Sequence, residues 1–168
     1  MNAERSSYGR PLGRSRHHFD HTRHHLSSSA IEEILGKPDA VLMKEVMAMA
    51  QDTNTELEKR LDALDELQSL VENLDNTEDL THLQMYPMLL NLIQEEHPDT
   101  VCRQALWIIT TAVENSPKAQ AECLKYEPVF RILPVLKAQP NSLNPASGQT
   151  RLKALYALTA MLLNNPEA

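Results

Sequence analysis

A segment of eleven residues recurs three times in this chain, and the spacing of its copies restricts the fold more than any other feature. The copies are Ala63–Asn73 (ALDELQSLVEN), Ala105–Asn115 (ALWIITTAVEN) and Ala154–Asn164 (ALYALTAMLLN). Asn115 follows Asn73 by 42 residues, and Asn164 follows Asn115 by 49. The extra length fits between Gln139 and Gly148, a stretch rich in Pro, Asn, Ser and Gly, which are turn formers. Between the first two copies, Tyr86-Pro87-Met88-Leu89-Leu90-Asn91-Leu92-Ile93 aligns with Glu127-Pro128-Val129-Phe130-Arg131-Ile132-Leu133-Pro134 after them. Each carries proline where the first turn of a helix tolerates it.

Within the second copy Ala105, Leu106, Ile109, Ala112 and Val113 recur at helical spacing and are expected to face a core. Composition agrees: apolar content is carried by Leu, Ala and Met, aromatics make up 4%, and there are 4 Gly. Such a chain favours helices over sheet. A period in the low forties with two or three helices per unit falls in the armadillo/HEAT range. Units of that kind cannot bury their apolar faces alone and stack into a curved solenoid. The expected fold is therefore all-α, an armadillo-like helical solenoid ending after about two and a half repeats. It covers residues 30–168, is monomeric, and leaves Leu155, Leu158, Met161 and Leu162 without a covering helix, as in a fragment or a truncated product.

Residues 1–29 show no apolar periodicity and read as a disordered basic tail, with five Arg against Glu4 and Asp20. The whole chain carries −7, which leaves about −10 for the rest, a poor match to nucleic-acid phosphates. His17, His18, His21, His24 and His25 are dense enough to chelate a transition metal, but a disordered tail supplies no fixed geometry, so no metal site is expected. The Arg- and Ser-rich start lacks the apolar residues of a transit helix, and no apolar run reaches spanning length. Cys102 and Cys123 lie in separate helical patterns and read as buried, reduced thiols of a cytoplasmic protein. Ser29 with Glu32 is a candidate capping box, and the short helix it opens stops at Gly36-Lys37-Pro38. Asp39 is a candidate cap for the next helix, with Leu42, Val46 and Met49 as its apolar stripe. No phosphate loop, catalytic triad or zinc-type cysteine pair is present, so neither an enzyme nor a cofactor is expected.

A second stripe runs beside the core positions. In the second copy it holds Trp107, Thr111, Glu114 and Asn115, in the first Asp65, Ser69 and Asn73, and in the third Tyr156, Ala160 and Asn164. In armadillo solenoids the long helix of each unit lines the concave side, which makes this stripe the candidate partner-binding groove. The asparagine closing each copy has two readings, a helix C-cap or a groove contact.

Ile34-Leu35-Gly36-Lys37-Pro38-Asp39 followed by Leu42-Met43-Lys44-Glu45-Val46-Met47 resembles the opening of the Fes-type exchange factors. Those are armadillo proteins that bind DnaK-class heat-shock chaperones. Leu70-Val71-Glu72-Asn73-Leu74-Asp75-Asn76, Thr111-Ala112-Val113-Glu114-Asn115 and Lys153-Ala154-Leu155-Tyr156-Ala157-Leu158 are similar to that family in order and spacing. The resemblance covers roughly residues 31–168. It implies a cytosolic adenyl-nucleotide exchange factor that clasps the nucleotide-binding domain of a 70-kDa chaperone and promotes ADP release. It adds Asn76 and Thr77 to the groove candidates of the first unit. The chain departs from the family at its start, where a basic tail replaces an apolar, Trp-containing segment, and in stopping inside the third repeat. The competing reading is a generic armadillo scaffold or cargo adaptor holding peptides in its groove, for which a single Trp makes an irregular ladder.

Overall fold

The apolar spacing of the three copies places each on a helix of the same length. In the computed structural model, residues 37–114, 116–137 and 145–163 are described, and all belong to one unit, Gly36–Ala168. Eight helices and no strand occur among them: α1 (Asp39–Gln51), α2 (Leu57–Val71), α3 (Leu74–His82), α4 (Met85–Leu92), α5 (Asp99–Val113), α6 (Pro117–Leu124), α7 (Pro128–Lys137) and α8 (Gly148–Leu162). The helices α2, α5 and α8 each hold 15 residues and carry the three sequence copies. Their first residues, Leu57, Asp99 and Gly148, keep the 42- and 49-residue offsets. The 1–29 tail, the expected helix from Ala30 with its Ser29 capping box, and the domain boundary between them lie outside the described residues.

One long helix followed by two short ones repeats as α2–α3–α4 and α5–α6–α7, and α8 opens a third round. α5 lies against α2 on one side and α8 on the other, while α1 covers the outer side of α2. This arrangement is consistent with an armadillo-like array. The seam is apolar: Leu64, Leu67 and Val71 of α2 and Leu106, Ile109 and Val113 of α5 are buried with Ala154 and Ala157 of α8. Small alanines at the α5–α8 contact allow close approach of the helices.

Polar side chains satisfy helix ends that the packing would otherwise orphan. Asn76 Nδ2 donates to Leu70 O at 2.9 Å and Thr77 Oγ1 to Val71 O at 3.0 Å, so α3 caps the last turn of α2. Gln120 of α6 does the same for α8, donating to Ala160 O at 2.8 Å and Leu163 O at 3.1 Å. Ser116 and Ser147 accept from Ala119 N and Thr150 N at the starts of α6 and α8.

Three expectations are corrected. Asp39 is the first residue of α1 and does not cap it; the helix follows Pro38, and the Asp39 carboxylate accepts from Asn76 Nδ2 at 2.8 Å. The buried stripe of α1 is Met43, Val46, Met47 and Ala50, with Met49 exposed and Leu42 at the margin, because α2 and α4 approach one position further round. The proline-based alignment of α4 with α7 slips by two residues. Gln84 and Glu127, both left-handed (φ 53° and 52°), occupy the equivalent sites before the two helices, 43 residues apart.

Charge is also buried. Arg60 donates from Nε to Ala50 O at 2.8 Å and approaches His97 Nδ1 with Nη2 at 3.2 Å. A guanidinium has no acceptor, so Nδ1 accepts and the ring proton sits on Nε2. Desolvation, followed by the repulsion of Arg60, holds the His97 pKa below its ordinary 6.5. The folded value is thus the lower one. This contribution to stability is complete above pH 6.5 and is lost as pH falls from 6.5 through the folded pKa, where the unfolded chain binds the proton first. His97→Gln, which keeps an acceptor without the charge, should lose less stability than wild type between pH 7.5 and 5.5 in urea titrations.

The repeat supplies its own control for core energetics. Leu106 is fully buried, whereas its counterpart Leu155, 49 residues later, is 51% exposed because no long helix among the described residues lies beyond α8. Leu106→Ala is expected to cost about 2–5 kcal/mol, and Leu155→Ala less than about 1 kcal/mol. Chemical denaturation of both variants measures the difference.

Candidate functional site

The outward stripe of α2, α5 and α8 is set by the same periodicity that buries the seam. At 100° per residue Trp107 lies about 200° from Ile109, and the two separate accordingly: Ile109 is fully buried and Trp107 is 42% exposed. The repeat register makes rungs across the three helices. Asp65, Trp107 and Tyr156 form one, and all are exposed. Ser69, Thr111 and Ala160 form the next, where Ser69 is exposed, Thr111 half-buried and Ala160 buried. The expected ladder is therefore interrupted on α8, where the small side chain sinks under its neighbours. Glu114 is exposed at the end of α5, while Asn115 and Asn164 lie outside the described residues.

The first-unit asparagines take structural positions. Asn73 does not close α2, whose C-cap is Glu72; it is exposed and caps α3, accepting from Asp75 N at 3.2 Å. The C-cap reading thus gives way to an N-cap, because the next helix begins directly after it, at Leu74. Asn76 and Thr77 are buried and committed to the carbonyls of α2 and to Asp39, which leaves neither presented outward.

Two diagonal contacts tie neighbouring long helices, and they are copies of one another. Gln104 of α5 hydrogen-bonds Asp65 of α2 through its side-chain amide. Its counterpart Lys153 of α8, 49 residues later, sets its ammonium 3.7 Å from the ring centroid of Trp107 on α5. In both junctions the reaching residue comes from the same position of the following helix. Deeper in the first junction, Gln68 Nε2 donates to Thr111 Oγ1 at 2.8 Å. Arg103 Nη1 donates to Gln149 Oε1 at 3.2 Å and stands 3.9 Å from Asp99 Oδ2. Burial, then the nearby Arg103, lowers the Lys153 pKa. Desolvation opposes ionisation of Asp99, but hydrogen bonds led by the Ser147 backbone N–H outweigh it and bring its pKa down overall. Periodicity alone misses Gln104, Arg103 and Lys153, although the 49-residue register relating Gln104 to Lys153 was available to find the pair.

The face carries a gradient of charge. The α2 side presents Asp62, Asp65, Glu66 and Glu72, and the α5–α8 side carries the half-buried Arg103 and Lys153 beside two aromatics. It has the make-up of a protein-contact surface, where aromatic and Arg anchors dominate. The described residues hold no group of three or more His, Cys, Asp or Glu able to bind a metal. Cys102 and Cys123 are buried free thiols whose pKa burial pushes up to about 12, far from nucleophilic activation. No described helix is long and apolar enough to cross a membrane.

Comparison with known proteins gives the face a context. The family model for nucleotide exchange factor Fes1 matches residues 3–80, beginning upstream of residue 31 and so taking in most of the basic tail. The chain is similar to the Hsp70 nucleotide exchange factor FES1 of Cryptococcus neoformans, with 39% identity over 143 residues, 85% of this chain and 37% of that protein. It is 34% identical over 141 residues to that of Schizosaccharomyces pombe, covering 83% of this chain and 46% of the relative. With that of Saccharomyces cerevisiae it shares 33% over 132 residues, 79% and 44% of the respective lengths. The chain thus spans less than half the length of each of these three relatives. Over the stretch that these matches cover, the chain is similar to the Fes1 family of nucleotide exchange factors.

Proposed function

We propose that the chain acts as an adenyl-nucleotide exchange factor for a cytosolic 70-kDa heat-shock chaperone, binding its nucleotide-binding domain and promoting ADP release. The observation that carries this reading is identity of 33–39% to named Hsp70 exchange factors over about four-fifths of the chain. The exposed stripe of α2, α5 and α8, with Asp65, Ser69, Trp107, Glu114 and Tyr156, supplies a surface of the right composition. The remaining candidates divide: Asn73 is accessible but holds α3, Asn76 and Thr77 hold α2, Thr111 is half-covered by Gln68, and Asn115 and Asn164 complete the stripe in sequence only.

The mechanism is binding, with no bond chemistry on the adaptor. An exchange factor holds the open, nucleotide-free form of the chaperone more tightly than the closed one, which shifts the population toward opening. Linkage makes the effect reciprocal, so nucleotide weakens the complex by the factor by which the complex weakens nucleotide. A generic peptide-binding adaptor would favour a continuous polar ladder, and the buried Ala160 breaks it.

Release of a fluorescent ADP analogue from a DnaK-class chaperone should accelerate in the presence of the chain. Trp107→Ala is expected to weaken that stimulation by the equivalent of about 2 kcal/mol in binding, a typical aromatic anchor, while leaving helical content intact. Ser69→Arg should act in the same direction by placing a long charge on the stripe. If both variants fold normally and stimulate release as well as wild type, the stripe is not the chaperone site. If wild type itself gives no acceleration, the exchange-factor reading fails.

A further inference from the structure

What sets Lys153 apart from the other surface cations is the aromatic ring beneath it. Lys37 pairs with Glu45, Lys59 with Glu56 and Lys118 with Glu78, while Lys44, Arg131 and Lys137 have no ion pair among the described residues and are exposed to solvent. Lys153 has no carboxylate within ion-pair distance among the described residues; it stands on the indole of Trp107 with Arg103 as a charged neighbour. The only carboxylate near Arg103 in those residues is Asp99 at 3.9 Å, whose Oδ1 already accepts from Ser147 N at 3.0 Å. Lys153 is thus held over an exposed aromatic in an acidic protein, beside Arg103, whose own charge is only partly met by the more distant Asp99. The equivalent junction one repeat earlier is neutralised differently, since Gln104 takes the place of Lys153 and Asp65 that of Trp107. The repeat therefore builds the same diagonal twice and makes only the second copy cationic.

We propose that Arg103, Lys153 and Trp107 form a receptor for a carboxylate side chain on the bound partner. The occupant is an Asp or Glu of the chaperone's nucleotide-binding domain, flanked by apolar surface that packs on Trp107 and Tyr156. This inference rests on the exchange-factor reading and adds the chemistry of the contact. A carboxylate arriving there relieves the repulsion between the two cations and completes an ion pair in a site already partly desolvated. The lowered pKa of Lys153 accords with a site that lacks its counter-charge. Opposite-charge complementarity also orients the partner, because the α2 end of the same face repels the acidic surface that the α8 end attracts.

The test is the affinity of the full chain for the nucleotide-free nucleotide-binding domain of a DnaK-class chaperone, measured by calorimetry at low and high salt beside thermal melts. Lys153→Glu should weaken binding about tenfold or more, and Lys153→Arg should stay within about threefold of wild type. Lys153→Met keeps the stem on Trp107 and removes only the charge; it should bind several-fold more weakly with a flatter salt dependence. Wild-type affinity and salt response in Lys153→Met, or Lys153→Glu folded and binding within about twofold of wild type, overturns the receptor while leaving the exchange-factor reading intact. A wild-type chain that does not bind the domain overturns both.

Discussion

Everything functional in this molecule depends on the seam along which α2, α5 and α8 stack. Leu64, Leu106 and the equivalent Leu155 occupy one helical position, as do Val71, Val113 and Leu162. In the first two helices these side chains are buried, and in α8 they stand 51% and 55% exposed. At roughly 25 cal/mol per Å² of apolar surface removed from water, burying such a side chain contributes about 1.5–3 kcal/mol. A repeat is stable only through its neighbour, and among the described residues α5 is the long helix that has another long repeat helix on both sides. Trp107, the central aromatic of the outward stripe, sits on that helix. A contact surface gains from such placement, because a side chain on a rigid scaffold loses little further freedom on binding.

The long helices were legible because three copies of one segment had to solve the same packing problem. Ala105, Leu106, Ile109, Ala112 and Val113 are all buried, as their spacing demands. The phase of α1 was less accessible: Leu42 and Met43 are both apolar, and only the approach of α2 and α4 decides that Met43 turns inward. Proline was a misleading anchor between α4 and α7, since several first-turn positions accept it. The left-handed residues Gln84 and Glu127 hold the true register, and neither is a residue type that advertises a positive φ.

The outward face was legible in its orientation and not in its contacts. Trp107 could be placed opposite Ile109 by angle alone, whereas Asn73, Asn76 and Thr77 could not be separated by function. All three are polar residues at a helix junction, and burial depends on how the next helix turns back. Only Glu72 and Asn73 separate α2 from α3, so Asn73 becomes a cap while Asn76 and Thr77 turn inward to the carbonyls of α2. Lys153 was overlooked for the complementary reason. Taken singly it is an ordinary helix-surface lysine, and only the superposition of one repeat on the next shows that it stands where Gln104 stood.

That substitution links the architecture to the proposed activity. A solenoid stacks near-identical units, so a uniform face would offer a partner several equivalent registers, each with similar affinity. Differences between junctions remove that degeneracy. Asp65 with Gln104 makes one junction acidic to neutral; Trp107 with Lys153 and Arg103 makes the next aromatic and cationic. A partner displaced by one repeat would bring its acidic surface against Asp62, Asp65 and Glu66, and like charges brought together in that way cost several kcal/mol. On the exchange-factor reading, register matters as much as affinity. The adaptor must prefer one conformation of a two-lobed partner, and a shift of about 9 to 10 Å, the spacing of packed helices, would move its grip to a different part of the lobe. On that reading, the charge asymmetry superimposed on the repeat is what would let a translationally repetitive scaffold hold its partner in one place.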